Sequence, residues 1–252
     1  MASFITHTFA ECVENHDGMQ TIGCKRARGF TEKQLAACAK KLDNSELHLL
    51  KHEGETASVL VIRDGVDRLL GSNGAAKLLA ESTSQAFDKQ FLNTRRRVVQ
   101  TKHGRHNNCY ADEARAPNIA AGQGTVISFR NTPHMAELRA KLPELLGNEA
   151  AGLFCETNKY TDVHSAKVGI GFHGDTERSI VVGVRLGAAS QPLRFQWYHR
   201  AKAVSKEYAI DLKHGDLYAM SHKATGYDWR CSSKWTLRHG TGKKAKPRAV
   251  GI

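Results

Sequence analysis

Long apolar runs, paired cysteines and an export signal are all missing from this sequence of 252 residues. No apolar run approaches the roughly 18 residues that a membrane-spanning helix needs. The first residues contain no basic segment followed by an apolar stretch, so we expect no secretory signal. The six cysteines form no Cys-x-x-Cys pair, which argues against a zinc module or a disulfide framework. These absences predict an intracellular protein, in the cytoplasm or the nucleus, with free thiols and no membrane contact.

Acidic residues are few relative to basic ones, 25 against 37, and the formal net charge is +12. One basic block lies in segment 91–110 and a second lies in the tail from residue 242. Such blocks suit contacts with phosphates, although a solvated surface can have the same composition. We therefore expect DNA or RNA as a partner, and the arginines expected to bind it are Arg95, Arg96, Arg97 and Arg105.

The first part of the chain predicts a mixture of helices and strands. Thr31 is a predicted N-cap of a helix that continues to Leu42, and further helices are predicted over 75–86 and from Pro133. Segments 47–50 and 57–62 read as strands. The polar, basic and glycine-containing stretch 93–124 predicts a long surface loop.

From Leu153 onward, short apolar runs alternate with turn residues, which predicts many short strands in a sandwich or jelly-roll. The runs are 168–172, 180–186, 193–198, 208–212, 217–220 and 234–237. We therefore expect helices first and an all-β core after them. The predicted division is an N-terminal α+β region at 1–150, which could cover a substrate, and a core at 151–252, both within one compact unit.

The segment Gly171-Phe172-His173-Gly174-Asp175 carries the main chemical signal. Strand side chains alternate between faces, so His173 and Asp175 would share one face and could take neighbouring positions around a metal. A third, distant histidine would complete a facial triad with open positions, the arrangement of non-haem Fe(II) oxygenases.

The neighbouring motifs follow a specific order along the chain. They are Asn158-Lys159-Tyr160, then His173-Gly174-Asp175-Thr176-Glu177, then Gly215-Asp216-Leu217-Tyr218-Ala219-Met220-Ser221, and finally the basic strand 234–240. From Cys155 to the C-terminus this series resembles the AlkB-like branch of the 2-oxoglutarate/Fe(II) dioxygenases. The resemblance implies an α+β fold whose core is a double-stranded β-helix, or jelly-roll, with the N-terminal helices and strands packed against it.

The resemblance also implies roles for individual residues. His173 and Asp175 would be the first two iron ligands, and Asn158 and Tyr160 would form hydrogen bonds with the co-substrate 2-oxoglutarate. Glu177 would act beside the ligands, and Arg178 lies where the family places groups that support the site or contact the substrate. Without the resemblance, Asn158 reads as a turn residue and Tyr160 as a half-buried core residue.

The third ligand is less clear because an alignment through Tyr227 and Trp229 places Cys231 at the family's distal-histidine position. His239 is the preferred candidate, His222 is the alternative, and Cys231 or Asp228 is a further option. The choice also decides which arginine anchors the distal carboxylate of 2-oxoglutarate: Arg248 for His239, or Arg238 for His222. Because strand side chains alternate, Arg238 and His239 should not both face the iron.

The activity implied is a dioxygenase reaction, in which O2 oxidises 2-oxoglutarate to succinate and a substrate C–H bond is hydroxylated. The expected substrate is a methyl group on a nucleobase, either removed or left as hydroxymethyl, with Trp197 as a pocket residue or a core residue. One alternative is hydroxylation of a protein side chain. Another is a non-catalytic nucleic-acid-binding jelly-roll that has lost its third metal ligand.

Overall fold

Strands outnumber helices, and the fold is mixed α+β. The computed structural model describes residues 3–189, 191–248 and 250. Their helices are α1 (Glu32–Ala39), α2 (Gly65–Leu70), α3 (Gly74–Thr83) and α4 (Pro133–Leu146), with 3-10 turns at Ile119–Ala121, Phe129–Asn131 and Asn148–Ala150. No helix in this described part of the chain is both long and apolar enough to cross a membrane.

The strands of the described residues are numbered in chain order. They are β1 (Phe4–Ala10), β2 (Cys12–Glu14), β3 (Thr21–Gly23), β4 (Ser45–His52), β5 (Glu55–Ile62), β6 (Gln90–Asn93), β7 (Val98–Thr101), β8 (His106–Ala111), β9 (Val126–Ser128), β10 (Phe154–Tyr160), β11 (Gly169–His173), β12 (Val181–Leu186), β13 (Leu193–His199), β14 (Lys202–Ala203), β15 (Tyr208–Ile210), β16 (Leu217–Met220) and β17 (Thr236–Gly242).

Two sheets contain most of these strands. The larger sheet has eight strands in the order β4-β5-β16-β12-β1-β10-β8-β9, and the smaller runs β11-β17-β13-β14, with β15 also paired to β13. The pair β8 and β9 is parallel. The hairpins β2-β3 and β6-β7 form two-stranded sheets of their own.

The larger sheet has apolar residues on both faces, because helices cover one face and the smaller sheet covers the other. Along β12, Val182 and Val184 join the cluster that includes Leu138 of α4. Val181, on the opposite face of the same strand, joins the cluster that contains Trp197 of the smaller sheet. This alternation within one strand is what allows a sheet to be buried on two sides.

Local sequence signals explain where the helices begin. The Thr31 hydroxyl accepts a hydrogen bond from the Gln34 backbone N–H, and the Gln34 side chain accepts one from the Thr31 backbone N–H. This capping box satisfies two backbone donors at the start of α1 and confirms Thr31 as the N-cap. Pro133 opens α4 at its first turn, where a missing N–H costs nothing.

The first strand of the chain lies inside the larger sheet, which corrects the expectation that helices come first and strands follow. β1 pairs with β10 on one side and with β12 on the other. Its polar residues Thr6, His7 and Thr8 hide it from a search for apolar runs, although most of the strand is buried. Strands from both sides of position 150 therefore share one sheet.

Segment 93–124 is not a long surface loop, which is a second correction. It contains β7 and β8, and β8 pairs with both β10 and β9 in the larger sheet. Asn107 and Asn108 of β8 are fully buried. Their side-chain amides donate hydrogen bonds to the carbonyl oxygens of Asn15 and Ala86, so both amide donors find acceptors inside the protein. Polarity alone therefore gave the wrong interpretation of this segment.

His7 of β1 connects the sheet to helix α3. The Ser82 hydroxyl donates to the carbonyl oxygen of Leu78 and lies 2.9 Å from His7 Nε2, while Thr157 Oγ1 lies 2.7 Å from His7 Nδ1. His7 Nε2–H is thus the donor to Ser82, and the Thr157 hydroxyl donates to Nδ1. Burial lowers the pKa of His7 to about 3, so the ring is neutral in the folded protein.

Acidification should weaken the fold through His7. The pKa of His7 in the folded protein lies below its unfolded value of about 6.5. The stabilisation of the fold by the neutral His7 ring is therefore complete above pH 6.5 and is lost as the pH falls toward 3. Between about pH 7.5 and about pH 5.5 this residue should lower the free energy of unfolding by about 1.4 kcal/mol. Urea denaturation at both pH values measures this loss. The variant His7→Gln should not show the part of this loss that His7 causes. An equal loss of unfolding free energy in the variant and the wild type would contradict the neutral, buried state of His7.

Candidate metal centre

Three side chains meet at one wall of a cavity between the two sheets: His173, Asp175 and His239. Their donor atoms all lie within 4.8 Å of one another. Nε2 of His173 is 3.7 Å from Asp175 Oδ1, and Nε2 of His239 is 3.7 Å from Asp175 Oδ2. These separations are longer than hydrogen bonds, so the carboxylate faces both imidazoles without bonding to either. Two histidines and a carboxylate around one point are a donor set that fits a divalent transition metal.

Strand pairing brings the two histidines together. His173 ends β11 and lies directly opposite His239 of β17, and their ring centroids are 4.5 Å apart. Asp175 lies just beyond the end of β11, where its backbone N–H donates to the carbonyl oxygen of Thr225 at 2.9 Å. The expectation of one continuous strand through His173 and Asp175 is thus corrected, since a turn places the carboxylate.

Gly174, between the two ligand candidates, is required by close packing. A Cβ atom at this position would lie 2.2 Å from the carbonyl oxygen of Gly226 and 2.7 Å from the Trp229 side chain. Any larger residue would have to push the backbone away from the segment that holds Asp175. Glycine therefore lets the turn approach the 222–229 segment closely enough to orient the carboxylate.

Both imidazoles present suitable nitrogens. The Nδ1 atom of His173 lies 2.9 Å from the carbonyl oxygen of Gly171, so that nitrogen carries the proton and Nε2 keeps its lone pair toward Asp175. His239 is buried, and burial together with the neighbouring His173 lowers its pKa well below the ordinary value. A neutral imidazole is the form that binds a metal.

Arg178 is buried beside the cluster and contacts three carboxylates, and it also lines the cavity. It is 4% exposed, its Nη2 donates to Glu156 Oε2 at 2.9 Å, and its Nε donates to Glu177 Oε1 at 2.7 Å. The same Nε lies 3.9 Å from Asp175. Burial alone would raise the pKa of Glu156, but Arg178 and Arg105 hold it below the ordinary value. Three carboxylates, those of Glu156, Glu177 and Asp175, thus surround one buried guanidinium.

The cavity beside the cluster has a volume of about 480 Å³. Most of the residues expected to bind iron, co-substrate or substrate line it together. They are Arg95, Arg105, Asn158, Tyr160, His173, Asp175, Glu177, Arg178 and His239. The Asn158 amide is held in place, since its Oδ1 accepts from Arg105 Nε and its Nδ2 donates to Glu156 Oε1.

The other predicted site residues lie outside the cavity. Trp197 is fully buried in the inter-sheet core, so the core interpretation is the correct one. Arg96 and Arg97 are exposed at the turn of the β6-β7 hairpin. Arg238 lies over the rings of Tyr198 and Trp229. Arg248 is exposed, and its backbone pairs with the Gln196 side chain.

The alternative third ligands also lie apart from the cluster. His222 stacks on Tyr227 with ring centroids 4.0 Å apart. Cys231 is exposed, and Asp228 Oδ2 accepts a hydrogen bond from Lys223 Nζ at 3.0 Å. Among the described residues, His239 is the candidate that joins His173 and Asp175.

Sequence reasoning missed a buried arginine in the cavity wall. Arg185 of β12 is 1% exposed, and its Nε has no hydrogen-bond partner in the described residues. Thr6, opposite it on β1, also lines the cavity with an unpartnered Oγ1, and Tyr218 lies nearby. The available signal was a charge within the apolar run 180–186, since a buried charge needs a partner.

The chain is 36% identical to uncharacterized protein R156 of Acanthamoeba polyphaga mimivirus. The match spans 251 residues and covers 94% of this chain and 95% of the viral protein. The chain belongs to the family of this viral protein. No protein-family model matches the chain. Because the viral relative's name carries no activity, the function of this family member has to be argued from the site itself.

Metal binding should depend on His239 and not on His222. Removing one of three protein ligands should weaken Mn(II) or anaerobic Fe(II) binding by more than about 100-fold, since even supporting residues around a metal contribute 10–100-fold. Titration calorimetry on His239→Ala and on the matched control His222→Ala measures this difference. Retained binding in His239→Ala together with lost binding in His222→Ala would contradict the assignment.

Proposed function

We propose that this protein is an AlkB-like dioxygenase that uses Fe(II) and 2-oxoglutarate to hydroxylate a C–H bond of a nucleobase in nucleic acid. The observation that carries the proposal is the cluster of His173, Asp175 and His239 at the wall of the cavity. Three ligands on one side of a metal ion leave coordination positions open on its other side, which is the arrangement of non-haem Fe(II) oxygenases. The proposed iron would be held by these three residues.

The strand arrangement supports a jelly-roll core. Along the chain, β10, β12 and β16 belong to the larger sheet, whereas β11, β13, β15 and β17 belong to the smaller. A jelly-roll has eight strands in two sheets, and in this proposal β1 is the eighth. β1 fills the place between β10 and β12, so the N-terminal strand completes a core that the second half of the chain otherwise builds.

A buried cation supports an oxo acid with a second carboxylate as co-substrate. The Arg185 guanidinium makes no ion pair with a described residue, although its Nη1 donates to the carbonyl oxygen of Gln191 at 2.7 Å. A desolvated charge of this kind is costly unless a counter-ion reaches it. A ligand carboxylate would accept from the free Nε and from the Thr6 hydroxyl, and 2-oxoglutarate carries such a carboxylate at its distal end.

The chain's residues then have defined tasks in the reaction. Arg185 and Thr6 fix the distal end of the co-substrate, and Arg178 holds Asp175 in its orientation. The inter-sheet core around Phe195 keeps the site away from bulk water. Fe(II), when bound, supplies the redox chemistry by which 2-oxoglutarate, O2 and a substrate C–H yield succinate, CO2 and a C–OH.

The lining of the cavity favours a nucleobase substrate over a protein side chain. Arg95 and Arg105 provide positive charge for a phosphate backbone, and Trp229 provides an aromatic face for a base. Hydroxylation of an N-methyl group gives a hydroxymethyl group, which either persists or leaves as formaldehyde. Arg95 lies in the turn between β6 and β7, so this hairpin brings positive charge to the cavity beside the metal cluster.

The activity test is succinate formation from 2-oxoglutarate with Fe(II), O2 and a methylated single-stranded oligonucleotide. The wild-type protein should release one succinate for each hydroxylated base, and Asp175→Ala should release none because the metal loses its carboxylate. Absence of succinate from the Fe(II)-loaded wild type, with or without nucleic acid, would overturn the proposed function.

Arg185 and Arg248 provide a matched pair of variants for the co-substrate site. Loss of a charge-assisted pair should raise the KM for 2-oxoglutarate about 30- to 100-fold in Arg185→Gln and leave it unchanged in Arg248→Gln. Wild type should prefer 2-oxoglutarate over 2-oxobutanoate, which lacks the distal carboxylate, and Arg185→Gln should lose this preference. If Arg248→Gln shows these changes and Arg185→Gln does not, the anchor is Arg248.

A further inference from the structure

A second groove, of about 630 Å³, adjoins the metal cavity. His16 and Arg105 line both spaces, so a ligand in the groove would lie next to a ligand in the cavity. The groove's other walls come mainly from the β6-β7 hairpin and from the segment that leads into β8, including Phe91 and Lys102. None of its residues belongs to the metal cluster.

Lys102 is the main reason to expect a ligand in this groove. The side chain is 7% exposed, and no described carboxylate lies within ion-pair distance of its Nζ. Nζ donates instead to Asn107 Oδ1. Asp88 is near, but its oxygens accept hydrogen bonds from Thr125 and Asn15. Burial lowers the pKa of Lys102 to about 8, although the nearby Asp88 opposes this shift.

Two further cations face the same groove. Lys244 reaches it past Gly104, where a Cβ atom would lie 2.9 Å from Lys244 Nζ. Arg105 also lines it, and one of its guanidinium nitrogens is 3.8 Å from Glu156 Oε1. Three cations with two carboxylates near them, Asp88 and Glu156, leave an excess of positive charge, which suits a phosphate group.

An aromatic pair stands beside these cations. The rings of His16 and Phe91 are stacked, with centroids 3.8 Å apart and an interplanar angle of 13°. Burial and the nearby Arg105 lower the pKa of His16 to about 4, so its ring is neutral at pH 7. Phosphate-binding cations next to a flat aromatic wall are the combination by which proteins hold single-stranded nucleic acid.

We infer that this groove binds a phosphodiester group of a single-stranded nucleic acid, one step along the strand from the base that enters the metal cavity. Lys102 and Lys244 would contact the phosphate, and the wall formed by His16 and Phe91 would contact the adjoining base. The entry of the neighbouring base into the metal cavity rests on the proposed function, whereas phosphate binding in the groove does not.

Fluorescence anisotropy with a short labelled single-stranded oligonucleotide tests the groove on the whole protein. Lys102→Met and Lys244→Met should each weaken binding about tenfold and reduce the slope of log K against log salt by about 0.7. Lys77→Met, which removes an exposed charge from α3, is the matched control and should leave the slope unchanged. Thermal unfolding checks that each variant is folded, and Lys244 is exposed, so its replacement should not disturb the fold.

The competing outcomes are separable. Unchanged affinity and slope in both folded groove variants would overturn the inference, as would inorganic phosphate or a nucleoside monophosphate that binds as tightly as the oligonucleotide. Succinate formation without nucleic acid, measured on the same variants, should stay at the wild-type level. A wild type that binds the strand with the predicted slopes but forms no succinate would reject the proposed function and keep the groove.

Discussion

The pairing of β11 with β17 is the constraint on which the rest of the site depends. It places His173 opposite His239, so two imidazoles face the same space without any long loop having to close. Because side chains alternate along β17, the same register directs Arg238 to the other face, where it contacts Tyr198 and Trp229. A slip of one residue in this pair would exchange the histidine for the arginine and remove the donor set.

The buried cations near the β11-β17 strand pair differ in whether carboxylates of the protein lie next to them. Arg178 is surrounded by Glu156, Glu177 and Asp175, so its charge is compensated within the protein. Arg185 and Lys102 are also buried, but neither has a carboxylate within ion-pair distance among the described residues, and each lines a space that a ligand can enter. In our proposal Arg178 supports the metal site, whereas Arg185 and Lys102 mark where anionic groups of ligands bind.

The sequence predicted which three side chains meet better than it predicted the architecture. His173, Asp175 and His239 were chosen from motif order and strand alternation. Alternation holds for His239 on β17, but Asp175 lies beyond the end of β11 and is placed by a turn. The position of β1 could not be predicted, because Thr6, His7 and Thr8 break the apolar pattern and their burial depends on partners such as Thr157, far along the chain. We expected the co-substrate anchor at Arg238 or Arg248, downstream of the third ligand. Arg185, the buried cation that we propose for this role, lies on β12, which only the sheet order brings beside β1.

In our proposal one metal ion is held by His173, Asp175 and His239 while a dicarboxylate reaches Arg185. A crystal structure of the protein with Mn(II) and 2-oxoglutarate, phased on the anomalous signal of the metal, tests both halves at once. We expect a single strong peak at about 2.0–2.2 Å from one donor atom of each of the three residues, with the distal carboxylate on Arg185. A metal peak at His222, or a carboxylate bound by Arg238 or Arg248, would contradict it.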